Sequence, residues 1–177
     1  IVVFNTLTRV NSVACRGIAM WEGDRQAWNL FGGGVDSEVS EVQELPDGDL
    51  VICGSFSTIS GVAANRVARW DVETRSWSPL GTGLTAGNPV GLAVLPNSGQ
   101  LYVGGSGIGT PGGASAVLRY DLTTSEWHTT AQAPGTVSSV AALSDGTLAV
   151  TGTFDPFGND TVARYSPASD TWSRMGV

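Results

Sequence analysis

Val67-Ala-Arg-Trp-Asp-Val72, followed by Trp77, reads as a short pleated strand, a polar turn and the start of a second strand. Val67, Arg69 and Asp71 fall on one face while Ala68 and Trp70 fall on the other, the two-residue alternation of β structure. Val117-Leu-Arg-Tyr-Asp-Leu122 with Trp127, and Val162-Ala-Arg-Tyr-Ser-Pro167 with Trp172, align with this stretch without a gap. Ile18-Ala-Met-Trp-Glu-Gly23 with Trp28 is a divergent copy. The leading aromatics stand at 21, 70, 120 and 165, intervals of 49, 50 and 45 residues, which is the period of propeller blades rather than of shorter solenoid units.

Working outward, each unit repeats a second piece. Leu45-Pro-Asp-Gly-Asp-Leu50, Leu95-Pro-Asn-Ser-Gly-Gln-Leu101 and Leu143-Ser-Asp-Gly-Thr-Leu148 superpose, and their Asp-Gly or Ser-Gly steps supply the positive φ of a tight hairpin. Residues 39–45 and 50–56 therefore pair as strands one and two, 67–72 is strand three, and Trp77 opens strand four before Gly81-Thr-Gly83 ends the unit. Ile1 to Trp21 aligns residue for residue with Leu50 to Trp70. One segment points elsewhere: Val35, Val39, Val42 and Leu45, interleaved with glutamates, have near-helical spacing. Its copies at 89–95 and 137–143 carry Pro, Gly and Ser where a helix needs formers, so all three are read as strands.

The expected fold is all-β, a β-propeller of four-stranded antiparallel blades with about 15 strands. The units run roughly 1–37 (partial), 38–88, 89–136 and 137–177. By this alignment the propeller is incomplete or closed by assembly, and its open sheet edges invite self-association. The aromatic-Asp pair followed by tryptophan, at Trp70-Asp71 and Trp77 and again at Tyr120-Asp121 and Trp127, together with Tyr102-Val-Gly104-Gly105, resembles the kelch repeat and the galactose-oxidase propeller. The double glycine occurs only at Gly104-Gly105; Cys53-Gly54, Thr151-Gly152 and Phe4-Asn5 stand at the equivalent places. A looser class of bacterial propeller repeats, rich in Leu-Tyr-Val-Gly-Gly and Ala-Arg-Trp-Asp motifs, is closer, and that resemblance implies a fold without an activity.

Composition narrows the function. The 177 residues hold 16 acidic against 9 basic groups, all nine arginine, for a net charge of −7. No basic stripe is left for a phosphate backbone, so nucleic acid and anionic membrane surfaces are excluded as expected partners. No apolar run reaches the length of a membrane span, which predicts no membrane insertion. Ile1-Val2-Val3-Phe4 is too short for a signal core and has no initiator methionine, so the chain reads as soluble and trimmed. Cys15 and Cys53 make no disulfide framework and match no zinc spacing, and are expected to be buried free thiols.

Catalytic constellations are sparse. His128 is the single histidine, which rules out a copper site of galactose-oxidase type by count. A Ser-His-Asp triad would need that same residue at the start of an outer strand, where an exposed surface histidine is expected. Gly107-Ile-Gly109-Thr-Pro-Gly112 spells the dinucleotide fingerprint, but a strand rather than a helix is expected after it, so it offers no pyrophosphate site. Asp47 and Asp49 flank a hairpin glycine, and Asp155, Asn159 and Asp160 are too few for calcium's usual ligand shell. Asn159-Asp160-Thr161 is a glycosylation triplet of the kind chance supplies. The recurrent Arg69, Arg119 and Arg164 could be read as an anion-binding ring, but with Asp71 and Asp121 two residues on from the first two they are expected to form structural ion pairs. No cofactor, metal or catalytic residue is assigned.

The expected function is a non-catalytic, extracytoplasmic or secreted binding, adhesion or scaffold module for a protein or carbohydrate partner. The alternative is the propeller portion of a secreted hydrolase or oxidase whose catalytic residues lie outside this chain. In an up-and-down blade the short turns share one end, while the two-to-three segments and the links between blades share the other. That second end should hold 6–16, 57–65, 106–115 and 153–160, joined by 32–36 and 81–88, as long irregular loops where binding residues concentrate. The ligand-binding candidates there are Arg9, Asn11, Asp36, Asn88, Asp155, Phe157, Asn159 and Asp160.

Overall fold

A computed structural model describes residues 2–4, 9–10, 13–14, 17–31, 33–95, 98–110, 113–114, 116–131, 135–154 and 160–175. All regular structure in them is β. The chain divides into two compact units, Ile1–Gly83 and Leu84–Val177.

The first unit contains β1 (Val2–Phe4), β2 (Arg9–Val10), β3 (Val13–Ala14), β4 (Ile18–Glu22), β5 (Ala27–Leu30), β6 (Val39–Glu44), β7 (Leu50–Gly54), β8 (Thr58–Ile59), β9 (Val62–Ala63), β10 (Val67–Asp71) and β11 (Ser76–Pro79). Strands β1, β4 and β5 form a three-stranded sheet, here blade 1, while β6, β7, β10 and β11 form the four-stranded blade 2. The second unit contains β12 (Ala86–Leu95), β13 (Gln100–Thr110), β14 (Gly113–Ala114), β15 (Val117–Asp121), β16 (Glu126–Thr129), β17 (Gly135–Ala142), β18 (Leu148–Phe154), β19 (Asp160–Ser166) and β20 (Thr171–Arg174). Here β12, β13, β15 and β16 make blade 3 and β17 to β20 make blade 4. Among the described residues fifteen strands form the four blades, and five short ones lie in the segments between second and third strands. Every pairing is antiparallel between sequence neighbours of the repeat, which is the up-and-down meander of a propeller blade.

Residues 39–44, the segment with helical spacing, form strand β6. Tertiary pairing decides this: Val42 lies opposite Ile52 in the register that buries the blade face. The fingerprint at Gly107 is likewise absorbed by sheet, because β13 runs on to Thr110 and β14 pairs back on it.

Two backbone features recur with the repeat. The loop after each third strand has four residues, and its last residue is left-handed without being glycine: Gln26 at φ 49°, Arg75 at 53°, Ser125 at 59° and Asp170 at 51°. This closes the hairpin so that Trp21 faces Trp28, Trp70 faces Trp77, Tyr120 faces Trp127 and Tyr165 faces Trp172. The second feature is the glycine ending strand two. A Cβ on Gly54 would sit 2.0 Å from the Glu38 carbonyl oxygen, one on Gly152 1.9 Å from that of Thr136, and one on Gly105 2.3 Å from that of Asn88. Each lies against a register shift in strand one, at Val39/Glu41, Val137/Ser139 and Pro89/Gly91. The bulge pushes a carbonyl into the space a side chain would need.

The cores follow the aromatic faces. In the first unit Ile18 and Phe31 of blade 1 pack with Ile52, Ala68, Trp70 and Trp77 of blade 2. The Trp77 indole stands edge-on to Phe31 at 5.2 Å and donates Nε1–H to the Phe31 carbonyl at 3.3 Å. In the second unit Ala93, Tyr102 and Val117 of blade 3 pack with Val140, Val150, Ala163 and Tyr165 of blade 4, and Trp172 Nε1–H donates to the Ala131 carbonyl at 2.9 Å. In both units, then, an aromatic face is seated on the preceding blade and latched by an indole to the carbonyl just beyond that blade's outer strand.

Candidate functional site

The long-segment end of the first unit contains a built concavity rather than irregular loops. Strands β8 and β9 form a second hairpin whose two-residue turn, Ser60 (φ 51°) and Gly61 (φ 81°), is left-handed at both positions, the type I′ geometry. The link 33–36 runs beside it, starting with Gly33 (φ 94°) and Gly34 (φ 85°). Val35 bridges Ile59, the Ser60 N–H donates to the Gly34 carbonyl at 2.9 Å, and the Asp36 N–H donates to the Thr58 carbonyl at 3.2 Å.

Asp36 staples the two segments. Its Oδ1 accepts from the Ser57 N–H at 2.9 Å and the Thr58 N–H at 3.1 Å, and its Oδ2 from the Ser57 hydroxyl. Burial pushes this carboxyl up, but the bonds from Ser57 and Thr58 together outweigh it and hold the group below the usual carboxylate range. The result is an open concavity of about 480 Å³ lined by Gly33, Gly34, Val35, Asp36, Thr58, Ser60 and Gly61. Val35 is 2% exposed and forms its floor; the rest is backbone, hydroxyl and one ionised carboxylate. Asp36, ionised and already hydrogen-bonded, is a poor general base. The surface is suited to hydrogen-bonding a polar ligand.

Of the other candidates, Arg9 is exposed on β2 and Asn88 is exposed on β12 opposite Ser106. Asp160 begins β19 with its backbone opposite Phe154. Asn11, Asp155, Phe157 and Asn159 lie outside the described residues, as does Cys15. Among the described residues the expectation of irregular loops is corrected: β2 pairs with β3, 57–63 hold a hairpin, β13 carries 106–110, and β12 begins at Ala86. The signal for the first-unit hairpin is in the sequence as Ile59-Ser-Gly-Val62, a two-residue Ser-Gly turn between β-branched residues.

The opposite end corrects a second expectation. Arg69 does not pair with Asp71. Its Nε–H donates to Asp49 at 2.7 Å and its Nη2–H to Asp47 at 2.6 Å, across the β6–β7 hairpin. Arg164 pairs with Asp145 of the equivalent hairpin at 3.1 Å. Asp71 instead accepts the Glu73 and Thr74 N–H groups, and Asp121 those of Thr123 and Thr124. The Gln100 amide bond, followed by those N–H groups, lowers the Asp121 carboxyl to about 2. These carboxylates close turns. His128 is half-buried on β16 opposite Arg119, rather than fully exposed. Cys53 is a buried free thiol that burial pushes well above its ordinary value, hence unreactive.

The fold is a β-propeller built of four-stranded antiparallel blades. A family model described as a domain of unknown function, DUF5122, β-propeller, matches residues 45–70, from the β6–β7 turn to Trp70. No curated protein sequence matches the chain. Two solved structures from B. thetaiotaomicron share the fold. The extracellular domain assigned to a one-component system has a TM-score of 0.62 at 10% identity, covering 92% of this chain and 20% of that one. The extracellular domain assigned to a hybrid two-component system has a TM-score of 0.63 at 11% identity, covering 90% and 20%. The chain thus spans about a fifth of the length of the structures it matches.

Proposed function

We propose that this chain is a non-catalytic propeller module that recognises a carbohydrate or protein ligand outside the cytoplasm through its long-segment end. The observation that carries the reading is the concavity at Asp36, where two chain segments are cross-bonded into a fixed shape while glycine, Ser60 and Thr58 leave polar groups open to solvent. A net charge of −7 favours neutral or cationic ligands over anionic ones. The two fold neighbours being extracellular domains of sensor systems supports the placement and a role in sensing. Arg9, Asn11, Asn88, Asp155, Phe157, Asn159 and Asp160 remain candidates at the same kind of segment.

The test is an array of glycans and peptides, followed by calorimetry on any hit. Ser60→Trp fills the concavity from an exposed position and is expected to abolish binding, whereas Asp145→Ala, at a short turn, leaves it intact. Turnover of any arrayed substrate, or binding that survives Ser60→Trp and is lost in Asp145→Ala, overturns the reading.

A further inference from the structure

Blade 3 departs from its own repeat along one row of side chains. The register sets Tyr102 opposite Arg119 and Arg119 opposite His128, across β13, β15 and β16. The same row reads Val2, Met20 and Asn29 in blade 1, Val51, Arg69 and Ser78 in blade 2, and Ala149, Arg164 and Ser173 in blade 4. A short side chain at either end of the row serves every other blade, so the fold itself requires neither the tyrosine nor the histidine. Residues opposed in neighbouring strands share a face. Tyr102 packs on Tyr165 of blade 4 at 6.1 Å, so the row faces blade 4. Arg119 and His128 are half-buried, within reach of solvent.

Arg119 also lacks the partners of its counterparts. Arg69 is held by Asp49 and Asp47 at 2.7 and 2.6 Å, and Arg164 by Asp145 at 3.1 Å, in each case from the hairpin that joins strands one and two. The same hairpin in blade 3, 96–100, contains no acidic residue. Arg119 forms no ion pair among the described residues. The charge of Arg119 is felt by Asp121 and Asp170, but both carboxylates are committed elsewhere. Asp121 accepts from the Gln100 amide and the Thr123 and Thr124 N–H groups, and Asp170 from the Tyr165 hydroxyl at 2.5 Å and the Ala131 N–H at 2.7 Å. Those hydrogen bonds do most to lower the two carboxyls, and Arg119 does least. Tyr102 is 1% exposed, yet its hydroxyl has no hydrogen-bond partner among the described residues. A guanidinium, a phenol and an imidazole thus share one face with donors unspent.

We propose that Arg119, with the Tyr102 hydroxyl and His128 beside it, forms a subsite for the carboxylate of a small molecule. The ligand carboxylate takes on Arg119 the place that Asp47 and Asp49 take on Arg69, accepting two N–H groups of the guanidinium fork. The nearby Asp121 and Asp170 and the net charge of −7 penalise every further negative charge, so a monocarboxylate is favoured over phosphate. The subsite belongs to the second unit and does not rest on the reading of the concavity at Asp36.

His128 is the single histidine, so its ring C–H resonances report on this row without overlap. The test is titration with sodium acetate and sodium galacturonate at fixed pH and ionic strength, followed by proton–carbon NMR. Both are expected to shift the His128 resonances along a saturable curve in the millimolar range, phosphate more weakly, and galactose and sodium chloride not at all. Arg119→Gln breaks no ion pair and is expected to weaken binding at least about tenfold. Tyr102→Phe keeps the ring and loses the hydroxyl, and is expected to weaken it about threefold or more. Arg164→Gln, whose arginine is matched by Asp145, leaves it unchanged. Circular dichroism of β type confirms that each variant is folded. An absent or unsaturable shift with acetate and galacturonate overturns the proposal. So does an equal response to galactose or chloride, tighter binding of phosphate, or wild-type affinity in folded Arg119→Gln or Tyr102→Phe.

Discussion

Gly54, Gly105 and Gly152 show how little a repeat needs to hold invariant. Kelch-type sequences carry two glycines here, and this chain has both only once, yet the second is present in each full blade. The structure gives the reason: only the second meets a bulged carbonyl, at 1.9 to 2.3 Å from where its Cβ would be. Gly152→Ala is therefore expected to lower unfolding free energy by about 2 kcal/mol or more, the cost of moving packed backbone. Gly146→Ala, where a Cβ meets nothing but φ is 83°, should cost only the left-handed strain of about 1 kcal/mol. Urea midpoints at constant slope check both. The arginines illustrate what the sequence hid. Reading Arg69 with Asp71 used strand periodicity, but the carboxylates that reach its guanidinium, Asp47 and Asp49, lie twenty-odd residues earlier and become neighbours only when β7 pairs with β10.

At the scale of elements, the blade strands were legible because four copies constrain each other. The alignment resolved residues 39–44 against their own helical spacing, and β6 is a strand. The two-residue strands β2, β3, β8 and β9 were not found, since so short a run carries no measurable alternation. Ser60-Gly61 was the usable clue, and it led to the concavity that Asp36 stabilises. The candidate site was thus half legible: segments 32–36 and 57–65 by position, the hairpin that shapes them not at all. The indole latches make a prediction at this scale. Trp77→Phe and Trp172→Phe keep an aromatic ring but leave the Phe31 or Ala131 carbonyl without its donor. Each is expected to destabilise by about 1 to 2 kcal/mol, read as a shift in thermal midpoint. The Ala131 latch is doubled, because the Ala131 N–H also donates to Asp170 at 2.7 Å. Asp170→Ala and Trp172→Phe together should therefore cost less than the sum of the single changes if the two bonds support one another.

For the molecule as a whole, the acidic balance has a definite sign. Asp36, Asp71, Asp121, Asp145 and Asp170 all sit below the usual carboxylate range. Hydrogen bonds lower them, though in Asp36 burial is the largest single influence and acts the other way. A carboxyl whose folded pKa is depressed contributes stability that is full above its unfolded value, near 4, and is lost as pH falls through the folded value. For Asp121 that window runs from about 4 down to about 2. Thermal midpoints should stay level from pH 7 to 5 and then fall towards pH 2. Gln100→Leu should make the lower part of that fall shallower, because it removes the largest of the interactions holding Asp121 down. A midpoint that rises on acidification would contradict the assignment.

The β8–β9 hairpin has one more consequence. Its strand residues are anchored: Ile59 is fully buried and Thr58 receives the Asp36 staple, while Ser60 and Gly61 at the tip are exposed and support no core residue. The scaffold therefore separates what must be kept from what is free to vary within a few residues of chain. A library at the tip drawn from residues that accept the left-handed turn, chiefly Gly, Asn and Asp, would explore new specificities on an unchanged frame, and longer loops grafted there would inherit a fixed take-off geometry.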